Sequence, residues 1–231
     1  MAIPQLDAGV SDILYIAARA PRLGEVKTRL ARTVGVAAAT YLYVAFLRDI
    51  AKNFSRANYE VAWYLTPDGG APELAAALGT GERLRVRAQG DGGWGVRQDR
   101  LFRGAALRGE ERVALIASDS PQVGPERVQT AFALLDNHDV VLGPTHDGGY
   151  YLVAMGAYHD ILRAAPMSAG NTLEAVLAAC NPRGLRVATL PAEFDVDEVE
   201  DLDDLRAAAA RTPGLARTRV VIHNLAAEVP V

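Results

Sequence analysis

Charged side chains fall where short apolar runs of the chain end, and their types suit phosphate and metal chemistry. Residues 19–32 carry five basic residues against one acid, although the formal net charge of the chain is −4. Later segments place carboxyl groups at Asp119, at Asp147, and at Asp195 and Asp197. Arginine and lysine bind phosphate oxygens, and Mg²⁺ or Mn²⁺ prefers oxygen ligands. These residue types are consistent with a site for a phosphate-containing ligand.

The basic segment reads Arg19-Ala-Pro-Arg-Leu-Gly-Glu-Val-Lys-Thr-Arg-Leu30. Its lysine and arginine groups offer point-charge and bidentate contacts to phosphate, and its glycine lets the backbone approach a ligand closely. The pattern is not a Walker A loop, because the second glycine is missing, and it is not the dinucleotide fingerprint G-x-G-x-x-G. A solvated charged loop is the structural alternative. As a phosphate loop, the segment would bind through Pro21, Gly24, Lys27, Thr28 and Arg29.

A second loop, Gln89-Gly-Asp-Gly-Gly-Trp-Gly-Val-Arg97, contains four glycines in nine residues. Such a loop permits close backbone approach to a flat or charged group, and Trp94 offers a surface for stacking. A flexible connection between a strand and a helix fits the composition equally well. The predicted nucleotide contacts here are Gln89, Gly90, Gly92, Gly95 and Arg97.

Each acidic segment also has a simple structural interpretation. Asp119, in Ser118-Asp-Ser-Pro121, fits an ordinary turn, and Asp147, in Gly143-Pro-Thr-His-Asp-Gly-Gly-Tyr-Tyr151, fits an Asp-Gly hairpin. Residues 193–204 hold eight acids in twelve residues, which is typical of a helix start with Asp197 as its N-cap. Residue types alone leave these alternatives open.

The run APRLGEVKTRL resembles the opening motif of a bacterial family of glycosyltransferase-A-like proteins, which share their fold with the molybdenum-cofactor and 2-phospho-lactate guanylyltransferases. The resemblance continues to about Leu205 through Q-G-x-G-x-x-G-x-R, S-D-x-P, G-P-x-x-D-G-G-Y-Y and D-V-D-x-x-x-D-L elements. This chain departs from the family pattern at several positions, namely Arg19, Trp94, Met167, Ala169, Glu198 and Val199.

The resemblance implies a transferase that uses a nucleotide donor and Mg²⁺ or Mn²⁺. It places Asp119 as a metal ligand with Asp195 or Asp197, and the residues leave that last choice open. Lys27 would stabilise charge on the donor phosphates, and Asp147 would orient or deprotonate an unknown small-molecule acceptor. Glycosyl transfer from a nucleotide sugar is the first expectation, and nucleotidyl transfer with release of pyrophosphate and nucleotide binding without catalysis are the alternatives. The implied acceptor contacts are Asp147, Gly148, Gly149, Tyr150 and Ser168.

Alternating strand and helix patterns provide the elements that must position these groups. Predicted strands are Ile13–Ala18, Val61–Leu65, Leu84–Ala88, Val113–Ala117, Val140–Leu142, Tyr150–Met155 and Leu185–Leu190. Predicted helices lie near Val36–Phe54, Pro72–Leu78, Val96–Leu107, Pro125–Leu135, Tyr158–Ala164, Thr172–Ala179 and within 196–211.

This alternation predicts a three-layer α/β/α fold with a mostly parallel, Rossmann-like sheet, and the resemblance adds the nucleotide-diphospho-sugar transferase type. We expect one domain over residues 1–231, with a nucleotide-binding half at about 12–110 and a metal and acceptor half at about 111–210. In such a sheet, ligands bind beyond the carboxyl ends of the strands.

Composition excludes several classes of function. The negative net charge argues against nucleic-acid binding, and the single cysteine, Cys180, excludes a disulfide framework and a multi-cysteine metal site within one chain. The N-terminal residues 1–12 lack the pattern of a signal peptide, and no apolar run reaches the roughly 18–20 residues that a membrane helix needs. We expect a cytoplasmic protein. Residues 219–222 are predicted as an extra edge strand or a contact surface, which would allow a homodimer.

Overall fold

A computed structural model describes residues 12–79, 84–167 and 170–228. These residues form a seven-stranded sheet with the order β3-β2-β1-β4-β6-β5-β7. The strands are β1 (Asp12–Arg19), β2 (Glu60–Thr66), β3 (Val86–Ala88), β4 (Arg112–Ala117), β5 (Val140–Pro144), β6 (Tyr150–Met155) and β7 (Val187–Thr189).

Helices cover both faces of the sheet. They are α1 (Ala31–Val34), α2 (Val36–Phe54), α3 (Ala71–Leu78), α4 (Trp94–Leu107), α5 (Pro125–Leu134), α6 (Thr172–Cys180), α7 (Asp201–Arg211) and α8 (Ala216–Glu228). Two short 3-10 turns, Asn181–Arg183 and Pro213–Leu215, follow α6 and α7.

Strand β1 shows why the chain folds into three layers. Its side chains alternate between the two faces, so Leu14 and Ile16 pack with α2, α5, α7 and α8, whereas Ile13 and Tyr15 pack with α4 and α6. A strand covered on both faces reads as a nearly continuous apolar run, as residues 13–18 of β1 do. The predicted layers are therefore confirmed. The sheet, predicted to be mostly parallel, is mixed, because β6 runs antiparallel to its neighbours β4 and β5.

The predicted helix at Tyr158–Ala164 is wrong. This segment lies in an irregular loop against α4, where the Tyr158 hydroxyl donates to Asp99 at 2.7 Å. Contacts to a neighbouring helix hold its backbone, and they outweigh the helical spacing of its apolar residues. The backbone carbonyls of Leu162 and Arg163 face the start of α4, where Gly95 leaves room for them.

The predicted edge strand at residues 219–222 is also wrong, because these residues belong to α8. The cause lies in α2, where the buried carboxylate of Asp49 accepts hydrogen bonds from the backbone N–H groups of Arg217 and Thr218 at 3.2 and 2.8 Å. A carboxylate at the start of a helix satisfies N–H groups that have no partner within the helix and favours helical structure there. The local sequence of residues 219–222 cannot reveal this contact, since Asp49 lies about 170 residues away in the chain.

Among the described residues, no helix combines the length and apolar character that crossing a membrane requires. The N-terminal segment that lacks a signal-peptide pattern lies outside the described residues, except for Asp12.

At the edge of the sheet opposite the strands' carboxyl ends, Glu110 accepts hydrogen bonds from Arg108 Nε and from the Tyr15 hydroxyl at 2.9 and 2.8 Å. Burial alone would raise the pKa of Glu110, but these hydrogen bonds outweigh it and hold the pKa below its ordinary value of 4.5. A carboxylate with a lowered pKa stabilises the folded state above its unfolded pKa, and that stabilisation is lost as pH falls through the folded pKa.

We therefore expect Glu110→Gln to lower the free energy of unfolding by about 1 kcal/mol at pH 7. The difference from the wild-type protein should shrink as pH falls below 4.5. Urea denaturation between pH 3 and pH 7 measures both quantities. The exposed neighbour Glu111, changed to Gln, is the control and should follow the wild-type curve. A Glu110→Gln difference that stays constant down to pH 3 would contradict this account.

Candidate functional site

A cleft of about 710 Å³ opens at the carboxyl ends of the central strands. One wall is the basic loop after β1, and the floor is the end of β4 with Asp119. The other wall comes from the β5–β6 loop with Asp147 and from the segment after β7 with Asp195 and Asp197. The cleft thus brings together Lys27 and the four acids that the sequence singled out, although 170 residues separate Lys27 from Asp197.

Lys27 is the central cation of the cleft. Its side chain is only 4% exposed, and its Nζ forms ion pairs with Asp119 Oδ1 and, at 3.2 Å, with Asp197 Oδ1. Burial disfavours the charged form, but the charges of Asp119 and Asp197 outweigh it and raise the pKa of Lys27. Its backbone is left-handed, with φ of 47°, which is uncommon for a residue other than glycine. Strained backbone of this kind concentrates at functional sites.

The two carboxyl groups after β7 have different surroundings. Asp197 contacts Lys27 and lies 3.7 Å from Arg29, so its charge is compensated. Asp195 forms no ion pair with a basic side chain in the described part of the chain. Burial and the negative charges of Asp147 and Asp197 raise its pKa to about 6. The cleft therefore has uncompensated negative charge between the basic loop and Asp147.

Asp197 is not the N-cap of the following helix. Helix α7 begins at Asp201, whose Oδ2 accepts hydrogen bonds from the backbone N–H groups of Asp197 and Glu198, both at 2.7 Å. Asp201 thus holds the turn before α7, and the side chain of Asp197 is left to face Lys27. Part of the excess of acidic residues at the start of α7 is explained by their favourable interaction with the helix dipole, as the composition suggested.

Two hydroxyl-bearing residues that line the cleft, Tyr43 and Ser120, were missed by the sequence analysis. The buried Tyr43 hydroxyl lies 3.1 Å from Ser118 Oγ and accepts the backbone N–H of Arg19 at 2.9 Å, so it ties β1 to β4 at the cleft floor. Burial and the charge of Asp119 raise its pKa above the ordinary range. Its position on the apolar stripe of α2 is typical of a core residue. The other is Ser120, which lines the cleft with a buried hydroxyl that has no partner in the described structure.

Contacts within the β5–β6 loop fix the carboxyl group of Asp147. Its Oδ1 accepts hydrogen bonds from the Thr145 hydroxyl at 2.5 Å and from the backbone N–H of Gly149 at 3.0 Å. Gly148 has φ of 86°, and a Cβ there would overlap the carbonyl oxygen of Gly170. The loop therefore needs glycine at this position for two independent reasons.

The glycine-rich loop at residues 89–97 contributes little to the lining of the cleft, and its polar side chains bind backbone groups around it. Gln89 lines the cleft, but its amide nitrogen donates to the carbonyl oxygens of Ala18 and Tyr64 at 3.3 and 2.8 Å. Arg97 donates to Gly92 O at 2.7 Å, so its guanidinium group holds the loop. Among the predicted contacts that the structure describes, seven do not line the cleft. They are Pro21, Gly24, Gly90, Gly92, Gly95, Arg97 and Gly148.

Gly95 packs against the irregular segment at residues 158–164, whereas its neighbour Trp94 lines the cleft. The predicted acceptor residue Ser168 lies outside the described residues. The remaining predicted residues line the cleft. They are Lys27, Thr28, Arg29, Gln89, Asp119, Asp147, Gly149, Tyr150, Asp195 and Asp197.

The described residues contain no group of three or more histidine, cysteine or acidic side chains arranged to enclose a metal ion. Asp119 and Asp197 nevertheless direct one oxygen each at a single cation, the ammonium of Lys27. Mg²⁺ is commonly bound by one or two carboxylates together with substrate phosphates and water. The donor set fits a divalent ion shared with a phosphate ligand and does not fit an ion held by protein groups alone.

The sequence profile of a bacterial family described as "Uncharacterized protein conserved in bacteria (DUF2064)" matches residues 50–169, which are 120 of the 231 residues. No curated protein matches the chain. The crystal structure of a candidate nucleotide-diphospho-sugar transferase from Desulfovibrio desulfuricans G20 is 28% identical, with a TM-score of 0.82. The similarity covers 93% of this chain and 97% of the Desulfovibrio chain.

Two more distant structures share the fold. A nucleotidyl transferase from Methanothermobacter is 22% identical with a TM-score of 0.60, over 88% of this chain and 100% of that one. A cytidylyltransferase from Leptospira borgpetersenii is 13% identical with a TM-score of 0.54, over 96% of this chain and 99% of that one. The chain thus has the fold of nucleotide-diphospho-sugar transferases and nucleotidyltransferases.

The Asp147 loop yields a stability prediction. We expect Gly148→Ala to destabilise the protein by about 2–3 kcal/mol, because the new side chain is strained and overlaps Gly170. Gly156→Ala is the matched control, since a Cβ at Gly156 meets nothing within 4 Å. Chemical denaturation measures both variants. Equal stability of the two would show that the loop relaxes and that its geometry does not depend on Gly148.

Proposed function

This chain belongs to the DUF2064 family of bacterial proteins, and we propose that it is a metal-dependent transferase that moves a sugar from a nucleotide-sugar donor to an acceptor. The observation that carries the proposal is the meeting of Lys27 with Asp119 and Asp197 at the floor of the cleft. A cation and two carboxylates at the carboxyl ends of the strands suit a diphosphate bridged by a divalent ion.

The donor binds at the basic wall. The three basic residues that line the cleft within the described structure lie at the end of β1 and in the loop after it, namely Arg19, Lys27 and Arg29. Two of them, Arg19 and Arg29, lie at the exposed rim of the cleft, and Lys27 lies at its floor. Their positive charges attract the negative charge of a diphosphate and stabilise the additional negative charge that develops on the leaving phosphate.

Asp119 and Asp197 would hold Mg²⁺ or Mn²⁺ together with the donor's phosphates. Bound there, the ion would supply Lewis-acid stabilisation of the leaving nucleoside diphosphate. Asp197 is favoured over Asp195 because it already shares one cation with Asp119. Asp195 lies between this pair and Asp147, where its charge helps to attract the ion.

Asp147 acts on the acceptor. Its Oδ1 is held by Thr145 and Gly149, and its side chain lines the cleft. The acceptor hydroxyl oxygen bonds to the anomeric carbon of the donor, and the bond between that carbon and the phosphate oxygen breaks. The hydroxyl proton passes to Asp147 Oδ2, and the nucleoside diphosphate leaves with the bonding electron pair.

Nucleotidyl transfer, as in the guanylyltransferases, is the second candidate. The same three basic side chains also suit the greater charge of a triphosphate, and the fold occurs in nucleotidyltransferases. In that reaction an acceptor phosphate attacks the α-phosphorus and pyrophosphate leaves. The product decides between the candidates, since glycosyl transfer releases nucleoside diphosphate.

We expect nucleotides or nucleotide sugars to raise the melting temperature of the protein when Mn²⁺ is present, because a ligand that binds only the folded state stabilises it. A thermal-shift screen of nucleoside diphosphates, triphosphates and nucleotide sugars, with and without Mn²⁺, makes the measurement. The proposal fails if no nucleotide shifts the melting temperature in the presence of the metal. Binding of a donor without product from any acceptor would indicate a non-catalytic nucleotide-binding protein.

The metal-dependent part of this shift should disappear in Asp119→Asn, which removes one carboxylate charge at the cleft floor. Asp204→Asn is the matched control, because Asp204 is exposed on α7 and does not line the cleft. A shift that keeps its full dependence on Mn²⁺ in Asp119→Asn would exclude Asp119 as a ligand.

Lys27→Met should weaken nucleotide binding by about 10- to 100-fold, since a hydrogen bond to a charged group contributes roughly 1.5–3 kcal/mol. The chain has only two lysines, and the other, Lys52, is exposed near the end of α2, so Lys52→Met is the control. Isothermal titration with the best nucleotide from the screen gives both dissociation constants. Unchanged affinity in Lys27→Met would remove Lys27 from the donor site.

A further inference from the structure

Among the described residues, the wall of the cleft opposite the basic loop carries no basic side chain. Its lining residues in the described structure are aromatic, aliphatic, hydroxyl-bearing or acidic, and they include Trp94, Thr145, Asp147, Tyr150, Met167 and Thr172. One side chain of α4 joins two of these residues. The side chain of Gln98 reaches the Tyr150 hydroxyl at 2.9 Å and Met167 Sδ at 3.9 Å.

Three arginines on neighbouring elements already have hydrogen-bond or ion-pair partners. Arg97 donates to Gly92 O at 2.7 Å and to Gln89 Oε1 at 3.2 Å, and Arg100 donates to Asp91 O at 2.8 Å. Arg163 is paired with Asp99 at 3.6 Å, on the outer side of the irregular segment. None of the three lines the cleft within the described residues.

We infer that the acceptor is an uncharged or cationic hydroxyl compound with an apolar face, and that it is not a phosphate or carboxylate. A phosphorylated acceptor would bring negative charge beside Asp147 and Asp195 without a cation from this wall. Like charges at close range oppose binding, and an anion needs donors that satisfy its oxygens. Trp94 and Met167 instead offer an apolar surface of the kind that stacks on the face of a sugar ring or an aromatic ring.

The inference rests on the proposed function and sharpens it. Nucleotidyl transfer to a phosphorylated acceptor needs a phosphate at this wall, whereas glycosyl transfer needs a hydroxyl group there. The two walls of the cleft therefore bind different ligands. The three basic side chains serve the donor phosphates, and the polar groups opposite them serve the hydroxyl groups of the acceptor.

Three ligands that share one sugar ring test the inference. Methyl β-D-glucoside is the uncharged reference, phenyl β-D-glucoside adds an apolar ring, and glucose 6-phosphate adds a phosphate. Each is titrated into the full chain loaded with Mn²⁺ and the nucleoside diphosphate that gives the largest shift in the screen. The protein without nucleotide is titrated in parallel, so a failure of donor binding is distinguished from the preference of this wall.

We expect phenyl glucoside to bind more tightly than methyl glucoside, and glucose 6-phosphate to bind at least about tenfold more weakly than either. Quenching of Trp94 fluorescence reports binding, and Trp94→Phe identifies its contribution, because the other tryptophan, Trp63, is buried in β2. The inference is overturned if glucose 6-phosphate binds as tightly as methyl glucoside. It is also overturned if neither glucoside, nor glycerol, nor the cationic alcohol Tris binds to the loaded protein.

A gain of binding provides the complementary test. Met167→Arg and Trp94→Lys each place a cation on the wall, and each should raise affinity for glucose 6-phosphate about tenfold or more. Two positions are used so that a folding defect in one variant does not remove the test. Leu107→Arg adds the same charge at the exposed far end of α4 and should leave the affinity unchanged. Equal gains in all three variants would mean that overall charge, and not this wall, sets the preference.

Discussion

The site depends on one buried cation, the ammonium of Lys27, which is paired with the half-exposed carboxylates of Asp119 and Asp197. A buried cation is costly unless it is paired. The three segments that supply these groups must therefore meet, or Lys27 would bear a desolvation cost without compensation. The left-handed backbone at Lys27 shows that the loop accepts strain to direct the side chain inward.

The same arrangement explains how charge is divided within the cleft. Lys27 compensates Asp119 and Asp197, whereas Asp195 and Asp147 on the far side have no basic partner among the described residues. Burial and neighbouring acids raise the pKa of Asp195 to about 6, which shows the cost of leaving that charge uncompensated. A divalent ion shared with a donor diphosphate would relieve this cost on one side and leave the other side to a hydroxyl-bearing acceptor.

Much of the framework could be predicted from the sequence because each part rests on a local pattern. Apolar strands such as β1 and the long helix α2 have clear periodicity, and ligands of a parallel sheet bind beyond the carboxyl ends of its strands, where Lys27, Asp119 and Asp147 lie. The failures lie where a distant contact overrides the local pattern. Tyr158 is held by Asp99, and the start of α8 is held by Asp49, so neither segment follows its own propensity.

The sequence by itself determined that Lys27, Asp119 and Asp147 lie at the cleft, since their positions after their strands follow from local pattern and resemblance. Only the tertiary structure decided how those side chains are paired. It assigned Asp197 to Lys27 and left Asp195 uncompensated, and it turned Arg97 away from the cleft to hold the glycine loop. Pairing depends on distances of a few ångströms between segments far apart in the chain, and no local sequence pattern encodes such distances.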